Sequence, residues 1–90
     1  MPQRAVPIVN RLGMHARAAA KFVGLASQFQ ADVSVSRGGR EVNGKSIMGV
    51  MMLAAAKGTE VEIRTEGAPD ADEALDALSA LIANRFGEES

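Results

Sequence analysis

Two short alternating runs flank the glycine pair Gly38-Gly39, and this feature constrains the fold more than any other in the chain. In ADVSVS, residues 31 to 36, Val33 and Val35 point one way and Asp32, Ser34 and Ser36 the other. The glycines supply the positive φ angles of a tight hairpin turn, so Arg40 to Asn43 becomes the antiparallel partner strand. A third alternating run, TEVEIRTE, turns Val61 and Ile63 inward against Glu60, Glu62 and Arg64. An antiparallel sheet with one polar face follows, and its apolar face needs helices to cover it.

The rest of the chain supplies them. Gln3 to Val9 reads as a strand with Val6 and Ile8 on one face, and Pro7, which cannot donate a ladder hydrogen bond, predicts an edge position. From Ala16 to Ser27, Ala19, Phe22, Val23 and Ala26 recur at helical spacing, with Arg17, Lys21, Gly24 and Gln28 on the opposite face. Ser46 caps a second helix, SIMGVMMLAAA, which Lys57-Gly58 ends. The last helix opens at Pro69-Asp70 with a capping box from Asp70 to Glu73, then runs through Ala71, Ala74, Leu75, Leu78, Leu81 and Ile82. The order is βαββαβα, an open-faced α+β sandwich in one domain spanning residues 1–90, with no internal repeat.

Composition narrows the function. The absence of cysteine and the presence of a single histidine exclude a disulfide framework and a Cys- or His-rich metal site, so no metal is expected. No Trp or Tyr and only three Phe leave few stacking platforms for nucleic acid. The N-terminus MPQRAVPIVN lacks the apolar core of a secretory signal, and no run approaches membrane-spanning length, which predicts a cytoplasmic chain with no membrane insertion. Net charge is −1, yet residues 1–45 hold seven Lys/Arg against two Asp/Glu and residues 46–90 three against nine. A basic surface on a near-neutral chain points to an anionic ligand or an acidic protein partner.

One motif is a decoy. GREVNGKS, residues 39 to 46, satisfies the nucleotide-binding pattern G-x-x-x-x-G-K-[ST]. That pattern works as a loop between a strand and a long helix, with backbone N–H groups wrapping the phosphates. Here Arg40 to Asn43 serves better as the second hairpin strand, and the chain has no room for a parallel sheet.

GMHARAAA, residues 13 to 20, carries the chemistry. A lone histidine is more often a surface or capping residue than a reactive one. Arg17, however, lies at the start of a helix, where the dipole disfavours a cation. The unpaired N–H groups of that first turn make an anion site. A neutral imidazole is a nucleophile toward phosphorus. A phosphoryl group on His15 would place a dianion at the helix N-terminus, and Arg17 would neutralise it and donate hydrogen bonds to it.

These residues resemble the signature of HPr, the histidine-containing phosphocarrier of the bacterial phosphoenolpyruvate-dependent phosphotransferase system. The usual signature is GLHARPA or GIHARPA, against GMHARAA here, and KSIMGVMML at Lys45 to Leu53 is similar to the family's second block. The resemblance implies a sheet order of 1-4-2-3. It also implies phosphoryl transfer from enzyme I to Nδ1 of His15 and on to a histidine of an enzyme IIA domain, with Arg17 assisting, by a carrier that is not itself an enzyme and needs no cofactor. Ser46 matches the site phosphorylated by HPr kinase/phosphorylase in many bacteria, and the resemblance implies a monomer. A phosphate on Ser46 would add about −1.5 to −2 charge beside a surface that meets acidic partners, and so obstruct docking.

Ile47, Met48, Met51 and Met52 are expected to form an apolar docking patch beside a basic rim of Arg17, Lys21 and Lys45. Ala18 stands where the family has proline, which relaxes a restraint on φ and restores a backbone N–H. Two other readings remain open: a regulatory, nitrogen-type homologue in the same family, and an interaction module that uses the Met-rich helix without phosphorylation.

Overall fold

The computed structural model describes residues 2–53 and 55–89. Four strands, β1 (Gln3–Pro7), β2 (Asp32–Arg37), β3 (Arg40–Asn43) and β4 (Glu60–Glu66), pair antiparallel in the order β1-β4-β2-β3. This is the expected 1-4-2-3 arrangement. It puts Pro7 on an edge, where its missing N–H costs no ladder bond to a second neighbour. The hairpin forms as the glycine pair dictates: Gly38 and Gly39 have φ of 57° and 84°, and Arg37 pairs with Arg40 across the turn.

Register fixes the faces. Val6 opposite Val61 and Val35 opposite Ile63 turn four apolar side chains to the same side. There they meet α1 (Ala16–Ala26), α2 (Ile47–Met52) and α3 (Ala71–Ala83). Phe22 from α1, Val50 from α2, and Leu78 and Ile82 from α3 are fully buried in this core. Each such side chain contributes about 1.5–3 kcal/mol relative to exposure. Thr65 also faces inward, and its hydroxyl donates to the Ala71 carbonyl at 2.6 Å, so no buried donor is left open there.

Several boundaries differ from the sequence expectation. β1 stops at Pro7 rather than Val9, although Ile8 N–H still reaches the Thr59 carbonyl at 2.8 Å. Helix α2 stops at Met52 instead of continuing to Lys57-Gly58; of the expected extension, Ala54 lies outside the described residues. The reason is tertiary. The Ala55 carbonyl accepts from Met14 N–H at 2.8 Å, and Gly58 N–H donates to the Ile8 carbonyl at 2.9 Å. Those bonds tie residues 55–58 to the loop before α1 and to the end of β1, and Thr59 N–H closes a turn onto the Ala56 carbonyl at 3.0 Å. Arg37 and Arg40 then serve the freed end of α2, donating to the carbonyls of Leu53 (3.0 Å) and Met52 (3.1 Å).

The capping box at α3 does not form. Asp70 stands at the N-cap, but its carboxylate accepts from Gln30 N–H at 2.8 Å and Ala31 N–H at 3.0 Å, stapling α3 to the loop before β2. A single 3₁₀ turn at Arg85–Gly87 follows α3 and was not expected from the sequence.

GREVNGKS is no phosphate loop. Arg40–Asn43 forms β3, Asn43 Oδ1 accepts from Lys45 N–H at 2.8 Å, and Ser46 caps α2 by accepting from Gly49 N–H at 3.1 Å. Gly44 is demanded by packing: its N–H reaches the Val33 carbonyl at 2.7 Å, and a Cβ there would overlap the Val33 side chain.

Candidate functional site

The loop before α1 is built by Asn10 and Gly13. Gly13 N–H donates to the Asn10 carbonyl at 3.1 Å, and the buried Asn10 amide donates back to the Gly13 carbonyl at 2.8 Å. Gly13 has φ of +68°. With a side chain it would collide with the Ala55 carbonyl, so glycine is what lets Met14 reach that carbonyl and bury its own side chain.

His15 follows as the N-cap of α1, with extended backbone (φ −73°, ψ 177°) and no side-chain cap bond. Its ring is therefore free to point away from the helix. The first helical bond runs from Ala19 N–H to the His15 carbonyl, at 2.8 Å. The N–H groups of Ala16, Arg17 and Ala18 precede it and have no partner within the helix. Ala18 is fully buried, and α1 starts at Ala16 without the family's proline.

The ring nitrogen Nε2 bonds to Glu88 Oε2, leaving Nδ1 without a partner among the described residues. The other carboxylate oxygen, Oε1, accepts from Asn10 Nδ2 at 3.0 Å. The Asn10 bond first, and the His15 bond after it, hold the Glu88 carboxyl below the usual carboxylate range. Arg17 pairs with no carboxylate among the described residues and lines an open groove of about 520 Å³ with Arg11, Leu12, His15 and the Glu88-Glu89 pair. The imidazole and the guanidinium thus line one open groove at a helix N-terminus, a combination that suits a doubly charged phosphoryl group.

The four side chains expected to form an apolar patch are all exposed. Ile47, Met48, Met51 and Met52 are exposed to 44, 74, 41 and 60 %. Leu12, exposed to 59 %, adds an apolar side chain in the groove that sequence reasoning did not single out. The basic rim is more constrained than expected, since two of its three members are tied to backbone. Lys21 Nζ donates to the Phe86 carbonyl at 2.7 Å and Lys45 Nζ to the Phe29 carbonyl at 2.8 Å. Arg17 is the member without a partner among the described residues.

Asn10 and Glu88 were missed as site residues. Asn10 offered a weak local signal as a turn former three residues before a glycine. Glu88 offered none, because it is 73 residues from the histidine it touches.

An open-faced β-sandwich that carries a histidine at a helix N-terminus, with Nδ1 unpartnered among the described residues, fits a small phosphoryl-accepting protein, and comparison with known proteins agrees. The family model described as "PTS HPr component phosphorylation site" matches residues 2–84. A phosphocarrier protein HPr from Cupriavidus necator is 60 % identical, covering 98 % of both chains. A phosphocarrier protein NPr from Shewanella violacea is 41 % identical, over 98 % of this chain and 96 % of its own. The crystal structure of HPr-C-His from Thermoanaerobacter tengcongensis superposes with a TM-score of 0.94 at 43 % identity, over the whole of both chains.

The chain belongs to the HPr family of the phosphotransferase system. It is a phosphocarrier that takes a phosphoryl group from enzyme I, holds it as phosphohistidine and delivers it to an enzyme IIA domain, and it is not itself a catalyst.

Proposed function

We propose that His15 is the phosphoryl acceptor, through Nδ1, and that Arg17 and the first-turn N–H groups of α1 hold the transferred group. The observation that carries this is the state of the ring of the chain's one histidine: Nε2 is engaged, Nδ1 has no partner among the described residues, and Arg17, which pairs with no carboxylate among them, lines the same groove. The dianion resolves the unfavourable placement of Arg17 at a helix N-terminus. Incubation with phosphoenolpyruvate and a cognate enzyme I yields an acid-labile phosphoryl adduct by intact mass. The adduct is absent from His15→Ala. No adduct on the wild-type chain with an active enzyme I would sink the assignment.

Partners dock on the Ile47, Met48, Met51 and Met52 patch, whose unbranched methionines adapt to more than one surface. Lys21 and Lys45 can still meet an acidic partner, since an ammonium bonded to one carbonyl has two donors left. The carrier acts as a cytoplasmic monomer. Among the described residues no helix is long and apolar enough to cross a membrane. The greater identity to a relative named HPr than to one named NPr supports the sugar-linked branch over the nitrogen-type one.

Ser46 is a regulatory site for an HPr kinase/phosphorylase. It borders the exposed patch at the start of α2, so a phosphate there puts about −1.5 to −2 charge beside the docking surface. ATP and a cognate kinase give an acid-stable adduct that is lost in Ser46→Ala, and the modified chain accepts phosphoryl groups at His15 more slowly. An unchanged rate would reject the docking block.

A further inference from the structure

Beyond α3 the chain makes a turn that side chains resist. Arg85 and Phe86 both take the left-handed conformation, with φ of 58° and 54°, and Gly87 follows at 78°. Two consecutive non-glycine residues stay there only when their surroundings over-determine them. The surroundings do so here. Phe86 is 1 % exposed within the core, and the Lys21 ammonium bonds its carbonyl at 2.7 Å. Gly87 N–H reaches the Asn84 carbonyl at 3.0 Å and Glu88 N–H the Arg85 carbonyl at 2.8 Å.

This hook delivers one side chain. Glu88 has both carboxylate oxygens engaged, Oε1 by the Asn10 amide and Oε2 by His15 Nε2. Asn10 is fully buried and anchored in turn on the Gly13 carbonyl, so the carboxylate is aimed by groups that cannot swing away. The family match ends at residue 84, one residue before the hook begins, so nothing in that match accounts for the contact.

We propose that Glu88 is a positioning residue for phosphoryl transfer: it keeps the His15 proton on Nε2, presents the Nδ1 lone pair to the groove, and stabilises the charge that the ring acquires on bonding phosphorus. The role rests on His15 being the acceptor. A neutral imidazole divides between two tautomers, and donation from one nitrogen to a fixed carboxylate selects the form whose other nitrogen is unprotonated. In the transfer step the Nδ1 lone pair forms the new N–P bond. The bond from phosphorus to the donor's ring nitrogen breaks, and its electron pair stays with the donor. Nε2 keeps its proton, so the ring becomes an imidazolium with the Glu88 carboxylate against it and the phosphoryl group across the ring. No proton leaves the site and no further reactant is needed.

Glu88→Ala tests this, since the residue lies outside the helices and strands. In the unphosphorylated wild-type chain at alkaline pH, ¹⁵N shifts of the His15 ring place the proton on Nε2, with Nδ1 unprotonated. In Glu88→Ala that asymmetry collapses toward a mixture. With enzyme I and phosphoenolpyruvate, kcat for phosphorylation of the variant falls by about tenfold, the low end for removing a carboxylate behind a working histidine, while KM for the carrier is unchanged. An unchanged tautomer signature overturns the proposal, and so does an unchanged kcat. The tautomer readout needs no enzyme I, so a wild-type chain that accepts no phosphoryl group overturns the acceptor assignment separately.

Discussion

Lys21, midway along α1, donates from Nζ to the carbonyl of Phe86 at 2.7 Å and so ties the first helix to the turn that closes the chain. The Phe86 ring is buried in the core beneath that bond. Phe86→Ala is therefore expected to cost about 3–5 kcal/mol, as for other buried aromatic truncations. Lys21→Ala, which leaves the carbonyl to water, is expected to cost about 1 kcal/mol. Urea unfolding followed by circular dichroism measures both. Equal losses for the two variants would show that the ring is not the anchor.

The Glu88 carboxyl sits below its usual value of 4.5, held there first by the Asn10 amide and next by His15. A carboxyl whose value is depressed on folding adds stability that is fully present above the unfolded value. That stability is lost as pH falls through the folded one. Glu88→Gln removes this contribution, so the variant's urea midpoint is expected to drop less than that of the wild type between pH 6 and pH 3. Parallel pH profiles for the two proteins would contradict it.

Gly13 is expected to tolerate no side chain. A Cβ there would lie 2.5 Å from the Ala55 oxygen and 2.9 Å from the Ala56 Cα, at a φ of +68°. Both obstacles are backbone, fixed by the Met14–Ala55 hydrogen bond. Gly13→Ala should cost about 2–5 kcal/mol from strain and overlap together. It should also move His15, visible as large amide shift changes at residues 14 to 17. A loss under about 1 kcal/mol would mean that the loop relaxes.

Asp70 and Glu73 separate two accounts of how α3 begins. If Asp70 works as a staple to the backbone of Gln30 and Ala31, Asp70→Ala costs about 1–3 kcal/mol, and Glu73→Ala stays within about 0.5 kcal/mol. A reciprocal capping box would make both variants costly. Thermal and urea unfolding of the pair decide between them.

Most of the architecture was legible because its signals are local. Val33 and Val35 alternate with serines, Gly38-Gly39 can turn, Pro7 must sit at an edge, and Ser46 caps the helix that it precedes. Such patterns act within a few residues, through side-chain period, φ preference and donor count, so sequence alone determined the strands, the three helices, the antiparallel hairpin and the decoy nature of GREVNGKS. It also placed His15 and Arg17 together at the start of α1.

What tertiary structure decided involves partners far apart in the chain. Helix α2 ends at Met52 because Ala55 is claimed by Met14, and Asp70 leaves its own helix to serve Gln30 and Ala31. Glu88 reaches His15 only because Phe86 is buried and Lys21 holds its carbonyl. No periodicity encodes these choices. A hydrogen-bonding group takes whichever partner the packed core brings within reach, and that is fixed once the sheet and helices close on one another.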